Sequence, residues 1–333
     1  MESMQHLLLA LALLIPAEHD FVVHNFQFKT GETLAEVRIH YVTIGDPHGK
    51  PVLILHGTGG SSKQFLNEHF AGVLFKEGGV LDARTHYIVI PDNVGHGQSS
   101  KPSDGLRARF PHYDYDDMIE LQHRLLADGL HIDHAALVMG TSMGGMQTWM
   151  WGERWPRFMD ALVPLASAPV QIAGRNRVWR KMAIDDLQRG DVAGAVQLLM
   201  IATSSPLQWQ KSGPTRDDAD RWLAEQMKTR LAATDADDLL YALEASRNYD
   251  PSPNLEKIEA PLVAINSADD FVNPPELGIL EREIKRVKRG RYVLIPTSAE
   301  THGHGTHTWP ALWQEYLRSA VVSTAGSAAS RRP

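Results

Sequence analysis

Three groups of residues in this chain could do chemistry together: one serine, a pair of carboxylates and a cluster of histidines. Ser142 stands at the centre of Gly140-Thr141-Ser142-Met143-Gly144. Gly-x-Ser-x-Gly after an apolar run is the pattern of a sharp strand-to-helix turn that lifts a serine hydroxyl out of a sheet and holds it at a helix N-terminus. The run before it, residues 135–139, is continuously apolar, as a strand buried on both faces requires. Gln147 to Trp151 after it suits a buried helix, and Gly140, Gly144 and Gly145 would let helix and strands approach closely. The plainer alternative is a tight turn with Ser142 as an ordinary N-cap.

A serine hydroxyl is a poor nucleophile at neutral pH. It needs an imidazole to take its proton and a carboxylate to hold that imidazole's tautomer. Candidates follow in the order acid, then histidine, each in a loop after an apolar strand. Asn266-Ser267-Ala268-Asp269-Asp270 comes after residues 261–265, and Thr301-His302-Gly303-His304-Gly305-Thr306-His307 after 291–295. Asp270 is preferred over Asp269, whose expected role is to cap the turn or the helix that follows. His304, between two glycines, has the freest ring and is preferred over His302 and His307. A zinc site built from the same imidazoles is the competing reading, but no carboxylate joins them at a familiar metal spacing.

The elements that must position these groups read as an α/β alternation. Residues 21–28 and 34–43 alternate around Thr30-Gly31-Glu32 as an antiparallel hairpin. Residues 51–55 form a short buried strand that runs into His56-Gly57-Thr58-Gly59-Gly60, a loop able to aim backbone N–H groups into a pocket. A phosphate-binding loop is disfavoured there, because no Lys followed by Ser or Thr closes it. Residues 87–90 are the next strand, ending in a polar loop whose His96 reads as a structural hydrogen-bonder. Helical spacing covers 116–130, and 161–166 is another strand. From 170 to 254 only helical patterns appear, with starts at Thr215 and Thr234 and breaks at Pro206, Pro214 and Pro251; an insert in this place reads as a lid. Strand, helix, strand and helix then resume over 261–265, 276–287, 291–295 and 307–321.

At 333 residues with a net charge of -7, the chain has ordinary globular composition and no bias toward nucleic acid. It has no cysteine, which excludes disulfides and thiolate chemistry. Residues 1–17 hold an apolar run too short to span a bilayer, followed by Pro16-Ala17. They read as a signal peptide with an atypical acidic flank, so the location is periplasmic or secreted if the segment is removed and cytoplasmic otherwise. No other stretch approaches membrane-spanning length. The expected division is residues 18–169 and 255–322 as an α/β core, 170–254 as the helical lid, and 323–333 as a disordered tail. A homodimer is left open.

With Gly140 to Met146, the His56-Gly57 loop, Asp270 four residues before Pro274, and Gly303-His304 in view, the chain resembles the α/β-hydrolase superfamily over residues 21–320. Within it, the chain is similar to the branch containing homoserine O-acetyltransferases and their hydrolytic relatives. The resemblance implies a mostly parallel central sheet with flanking helices and a helical lid. It implies Ser142 as nucleophile, Asp270 as acid and His304 as base, with the N–H groups of Thr58 and Met143 as oxyanion donors. It implies no cofactor and no metal. In the acetyltransferases an aspartate that recognises the substrate amine follows the catalytic histidine directly; here Gly305 stands there. The loop at residues 92–100 is also more like that of the hydrolases. Water is therefore the expected acceptor, and the expected activity is cleavage of an ester or related acyl bond of a small molecule. Acyl transfer from acyl-CoA to an alcohol is the alternative, and a non-catalytic ligand-binding protein on the same scaffold a third reading. Among the arginines opening the insert, Arg175, with Asn176 beside it, is expected to contact a substrate carboxylate.

Overall fold

The computed structural model describes residues 15–328, with side chains from 15 to 321. Eight strands form one sheet in the order β1-β2-β4-β3-β5-β6-β7-β8. β1 (Ala17–Gln27) and β2 (Thr33–Gly45) make the antiparallel hairpin, with Val23 opposite Val37 and Phe21 opposite Ile39. β2 pairs antiparallel with β4 (His86–Pro91). All later pairings, through β3 (Lys50–Leu55), β5 (Leu137–Thr141), β6 (Leu162–Leu165), β7 (Leu262–Ser267) and β8 (Gly290–Ile295), are parallel.

The continuous apolar runs have a direct cause. Each central strand feeds two cores with alternate residues, because side chains alternate across a sheet. Leu53 and Leu55 enter the core on one face, and Val52 and Ile54 the core on the other. The first core is filled from α1 (Tyr115–Arg124) and α2 (Met143–Arg154), which contribute Met118, Leu121, Trp149 and Trp151. The second takes Phe65, Phe70 and Phe75 and, near the C-terminus, Trp313 and Leu317.

Between β6 and β7 lie α3 (Gly174–Gln188), α4 (Val192–Ala202), α5 (Pro206–Ser212), α6 (Arg216–Ala233) and α7 (Ala236–Glu244). Ala183, Ile184, Leu187, Ala195, Leu239 and Leu243 give them a small core of their own. No residue of α6 is buried. Thr215 caps α6 through the Asp218 N–H as its spacing suggests, whereas α7 is capped by Asp235 rather than Thr234, its carboxylate accepting from the N–H groups of Asp237 and Asp238.

Several expected boundaries move. The nucleophile strand starts at Leu137, and Ala135 makes only an isolated bridge to Met159. The helix expected over 276–287 is broken into short turns, because Gly278 takes a left-handed conformation with φ 59° after Pro274-Pro275. The final helix, α8, starts at Gln314 rather than His307: Pro310 interrupts the backbone ladder, and residues before it form short 3-10 turns. α8 then runs to Ala328, so Ser323 to Ala328 belong to a helix rather than to a disordered tail. Of the suspected signal segment, residues 1–14 lie outside the described residues, and Ala17 opens β1. Among the described residues no helix is long and apolar enough to cross a membrane.

Candidate active site

The site sits beyond the C-terminal ends of the parallel strands, where four loops meet. Ser142 joins β5 to α2 with φ 55° and ψ -112°. For a non-glycine residue this region costs on the order of 1–3 kcal/mol and persists only where surrounding contacts impose it. Here Ser142 N–H donates to Leu165 O at 2.9 Å and Gly144 N–H to His56 O at 2.9 Å. Gly144 must be glycine, since a Cβ there would lie 2.1 Å from Leu55 O. The turn is thus clamped between β3 and β6, and its serine can point only outward.

His304 comes from the loop after β8. Its Nε2 lies 2.8 Å from Ser142 Oγ. Its Nδ1 is 3.0 Å from both oxygens of Asp270, which follows β7. The Asp270 carboxylate also accepts from the N–H groups of Val272 at 2.8 Å and Asn273 at 3.1 Å. Asn273 steadies this turn by donating its side-chain amide to Ala166 O at 2.8 Å. Burial alone would raise the Asp270 pKa, but the facing His304 and the donated hydrogen bonds outweigh it, so the carboxyl sits below its ordinary value. Ser142, His304 and Asp270 therefore form one connected, nearly water-free line, only 9 %, 5 % and 1 % exposed.

Asp269 takes a different place. It receives the Thr301 hydroxyl at 2.9 Å, the Gly303 N–H at 3.0 Å and the Ser267 hydroxyl. Ser205 of the helical insert reaches it at 3.5 Å. Its carboxylate thus fastens the histidine loop rather than the histidine. Gly303, at φ 60°, packs so closely under the insert that a Cβ would lie 2.3 Å from Ser204 O. The other histidines are occupied elsewhere. His302 stacks on Trp309 with centroids 4.2 Å apart, and His307 packs edge-on against His304. Burial, reinforced by His304, lowers the His307 pKa to about 3, so that ring is neutral. Among the described residues no group of three histidines or carboxylates is arranged to hold a metal ion.

The loop after β3 brings Thr58 beside the serine; a Cβ on the preceding Gly57 would sit 3.4 Å from Ser142 Cβ. Among the described residues, the N–H groups of Thr58 and Met143 donate to no protein acceptor. A buried polar network that the sequence reading did not identify holds this loop. His56 Nδ1–H donates to Gly57 O at 2.8 Å, which leaves Nε2 to accept the Asn93 N–H at 3.0 Å. Gln122 joins Asn93, Gln147 at 2.8 Å and the Trp151 indole at 2.8 Å. Asp92 bridges the loops after β3 and β4 by accepting from Ser62 N–H at 2.6 Å and Gln98 N–H at 2.8 Å. His96 donates to Val94 O at 3.2 Å, and burial lowers its pKa to about 3; it faces His56 rather than Ser142.

Arg175 and Asn176 lie at the start of the insert, against the acid loop. Arg175 donates to Phe271 O at 2.6 Å and covers the Phe271 ring. The Asn176 amide reaches Val272 O at 3.4 Å, and its oxygen accepts from Arg180 Nε at 2.8 Å. Both residues thus tie the insert to the turn that carries Asp270.

A strained serine after the fifth strand, with an acid after the seventh and a histidine after the eighth, marks a class of enzymes, and residues 50–300 match the model of the alpha/beta hydrolase fold family: this chain belongs to that family. The chain is similar to proteins that include homoserine O-acetyltransferases. It is 27% identical over 281 residues to a probable acyltransferase of Methanothermobacter thermautotrophicus, covering 79% of this chain and 85% of that one. It is 28% identical over 283 residues to the homoserine O-acetyltransferase of Haemophilus influenzae, covering 73% and 79%. In fold it is similar to the crystal structure of esterase E22, with a TM-score of 0.81, 17% identity and coverage of 92% and 100%.

Proposed function

We propose that this enzyme is a serine acyl hydrolase that cleaves a small-molecule ester through an acyl-enzyme intermediate. The observation that carries this reading is the 2.8 Å contact of Ser142 Oγ with His304 Nε2, backed by Asp270 on the other ring nitrogen. Ser142 Oγ–H donates to Nε2 and His304 Nδ1–H donates to Asp270, so the tautomer suits proton removal from the serine. As Oγ attacks the ester carbon, its proton passes to Nε2. The oxyanion that forms is met by the free N–H groups of Thr58 and Met143; one such donor is worth about 3–4 kcal/mol of transition-state stabilisation. Nε2–H then protonates the leaving alkoxide. In the second half, Nε2 takes a proton from water as it attacks the acyl carbon, and returns it to Oγ when the acid departs. The helical insert covers the site as a lid.

A second reading rests on the acyltransferase relatives: the same acyl-enzyme would pass its acyl group to an alcohol instead of water. Gly305, where the acetyltransferases carry an aspartate for the substrate amine, favours water. Space is not the reason for the glycine, since a Cβ there would meet only His302 Cβ, at 3.7 Å. The separating experiment supplies acetyl-CoA with and without homoserine and follows both products. Release of acetate at a rate indifferent to homoserine supports the hydrolase, whereas stoichiometric O-acetylhomoserine supports the transferase. If hydrolysis is the native outcome, Gly305→Asp should raise the fraction of acyl groups passed to an amino alcohol.

A further inference from the structure

The helical insert holds a charge that the protein leaves without a counter-ion. Arg180, on α3, is 2 % exposed. Its Nε donates to Asn176 Oδ1 at 2.8 Å, and its guanidinium lies over the Trp179 ring at 4.7 Å. Nη1 has no partner, and among the described residues no carboxylate pairs with the group. A neutral amide and a ring face do not offset a fully desolvated cation. Nor can the neighbouring Tyr115 serve as its anion, because burial raises that phenol's pKa and keeps it neutral.

The surroundings of Arg180 lead back to the chemistry. Tyr115 lies close enough to Arg180 for the two to interact, and its hydroxyl lies beside those of Thr58 and Ser246. Thr58 follows Gly57, whose added Cβ would lie 3.4 Å from Ser142 Cβ. Thr58 Oγ1, Tyr115 Oη and Trp179 Nε1 are, like Arg180 Nη1, buried without a hydrogen-bond partner. Arg180 Nη1, permanently charged and unpartnered, thus lies near two hydroxyls, Tyr115 Oη and Thr58 Oγ1, that neighbour each other between the oxyanion loop and the insert. Buried polar groups are normally satisfied, and a fork of N–H donors with hydroxyl neighbours matches a carboxylate.

We infer that Arg180, assisted by Tyr115 and Thr58, binds a carboxylate of the substrate, so that the preferred esters carry an acid group besides the scissile bond. Arg175 and Asn176 then act as supports: Asn176 orients the Arg180 guanidinium through Nε, and Arg175 fixes the helix start on the acid loop. This inference rests on the acyl-transfer reading for the place of the ester, but the anion site can be measured apart from turnover.

The test has two substrate arms and one binding arm. 4-Nitrophenyl hemiglutarate against 4-nitrophenyl valerate places the acid on the acyl side. 4-Acetoxybutanoate against its methyl ester places it on the alcohol side. The wild type should prefer the acid by at least about 30-fold in kcat/KM on one arm, which identifies the side, because hydrogen bonds to a charged group discriminate on that scale. In Arg180→Gln that preference should collapse, chiefly through KM for the acid ester, and Arg180→Lys should restore part of it. Calorimetry with glutarate should show binding to the wild type that Arg180→Gln loses. Should Arg180→Gln fail to fold, the wild-type preference and glutarate binding decide alone. Equal or reversed preference on both arms, with no glutarate binding at about 10 mM, would overturn the inference and leave ester hydrolysis standing. Glutarate binding without turnover of any ester would do the reverse: the anion site would stand and the hydrolase reading would fall.

Discussion

The loops at the ends of the strands and the helical insert above them are built to different standards. In the loops, each of the three groups placed in line has its partner: Ser142 has His304, His304 has Asp270, and Asp270 has two backbone N–H donors besides. In the insert, α6 buries nothing, and Arg180 and Trp179 each leave a buried donor unused; the unpartnered loop atoms, Thr58 Oγ1, His96 Nε2 and His307 Nδ1, lie outside that line of three. A sheet packed on both faces constrains its strand ends to a small tolerance, and chemistry that depends on hydrogen-bond distances needs that tolerance. Helices that share only a small core are free to leave polar atoms for a ligand. On the proposed reading, the reaction step belongs to the loops and the choice of substrate to the insert. Substitutions in the first region should therefore act on kcat, and those in the second on KM and on which ester is accepted.

The largest effect should follow Ser142→Ala, which should lower kcat/KM for a 4-nitrophenyl ester by at least about 10⁴-fold. Ser142→Gly should be as inactive yet more stable by about 1 kcal/mol, since glycine relieves the positive φ; a denaturant melt reads this directly. Next, the adjacent carboxylates should separate. Asp270→Asn should cost about 10⁴-fold in kcat, because an amide can leave the imidazole in the wrong tautomer. Asp269→Asn should cost about 10-fold or less, together with a lower melting temperature, because it loosens the histidine loop through charge-assisted hydrogen bonds. Equal losses at the two positions would erase the distinction drawn between them.

A smaller effect tests whether an unsatisfied half-buried group bears on catalysis at all. Glu153 lies near the far end of α2 with Oε2 unpartnered, and burial raises its pKa from 4.5 to about 7. Its folded-state pKa exceeds the unfolded one, so its contribution is fully present below pH 4.5 and is lost as pH rises through about 7. Glu153→Gln should therefore be more stable than wild type by about 1 kcal/mol at pH 8, after allowance for partial solvent screening. The gain should vanish below pH 4.5 with turnover unaltered at every pH, as chemical melts and rates across pH would read. The smallest change should come from Arg175→Ala. Its exposed hydrogen bond to Phe271 O supports the acid loop from outside, so stability should fall by less than about 1 kcal/mol. A large rise in KM there would instead place Arg175 in contact with substrate.

What the sequence made legible follows from the same contrast. The central strands could be read because residues buried on both faces leave unbroken apolar runs, and Ser142 because its turn demands glycines on both sides. The roles of Asp269 and Asp270 differ by a single step of backbone, and hydrogen bonds from Thr301 and Gly303, which are distant in sequence, decide the role of Asp269. The helix expected over 276–287 had the right apolar spacing, but Gly278 and two prolines overrode it. Pro310 delayed the last helix in the same way. Arg180 was the hardest to see. It is one of three arginines within six residues, Arg175, Arg177 and Arg180, and only packing against Tyr115 and Trp179 singles it out as buried. The Asn93-Gln122-Gln147 network was equally hidden, because buried amides carry no local sequence pattern.

Intact-mass measurement of rapidly quenched enzyme with a 4-nitrophenyl ester tests the central claim most directly. The expected result is a mass gain equal to one acyl group, located on the peptide that holds Ser142, absent from Ser142→Ala and accumulating in His304→Gln only at a greatly reduced rate. Steady hydrolysis with no acyl adduct at any quench time, undiminished in Ser142→Ala, would contradict the account.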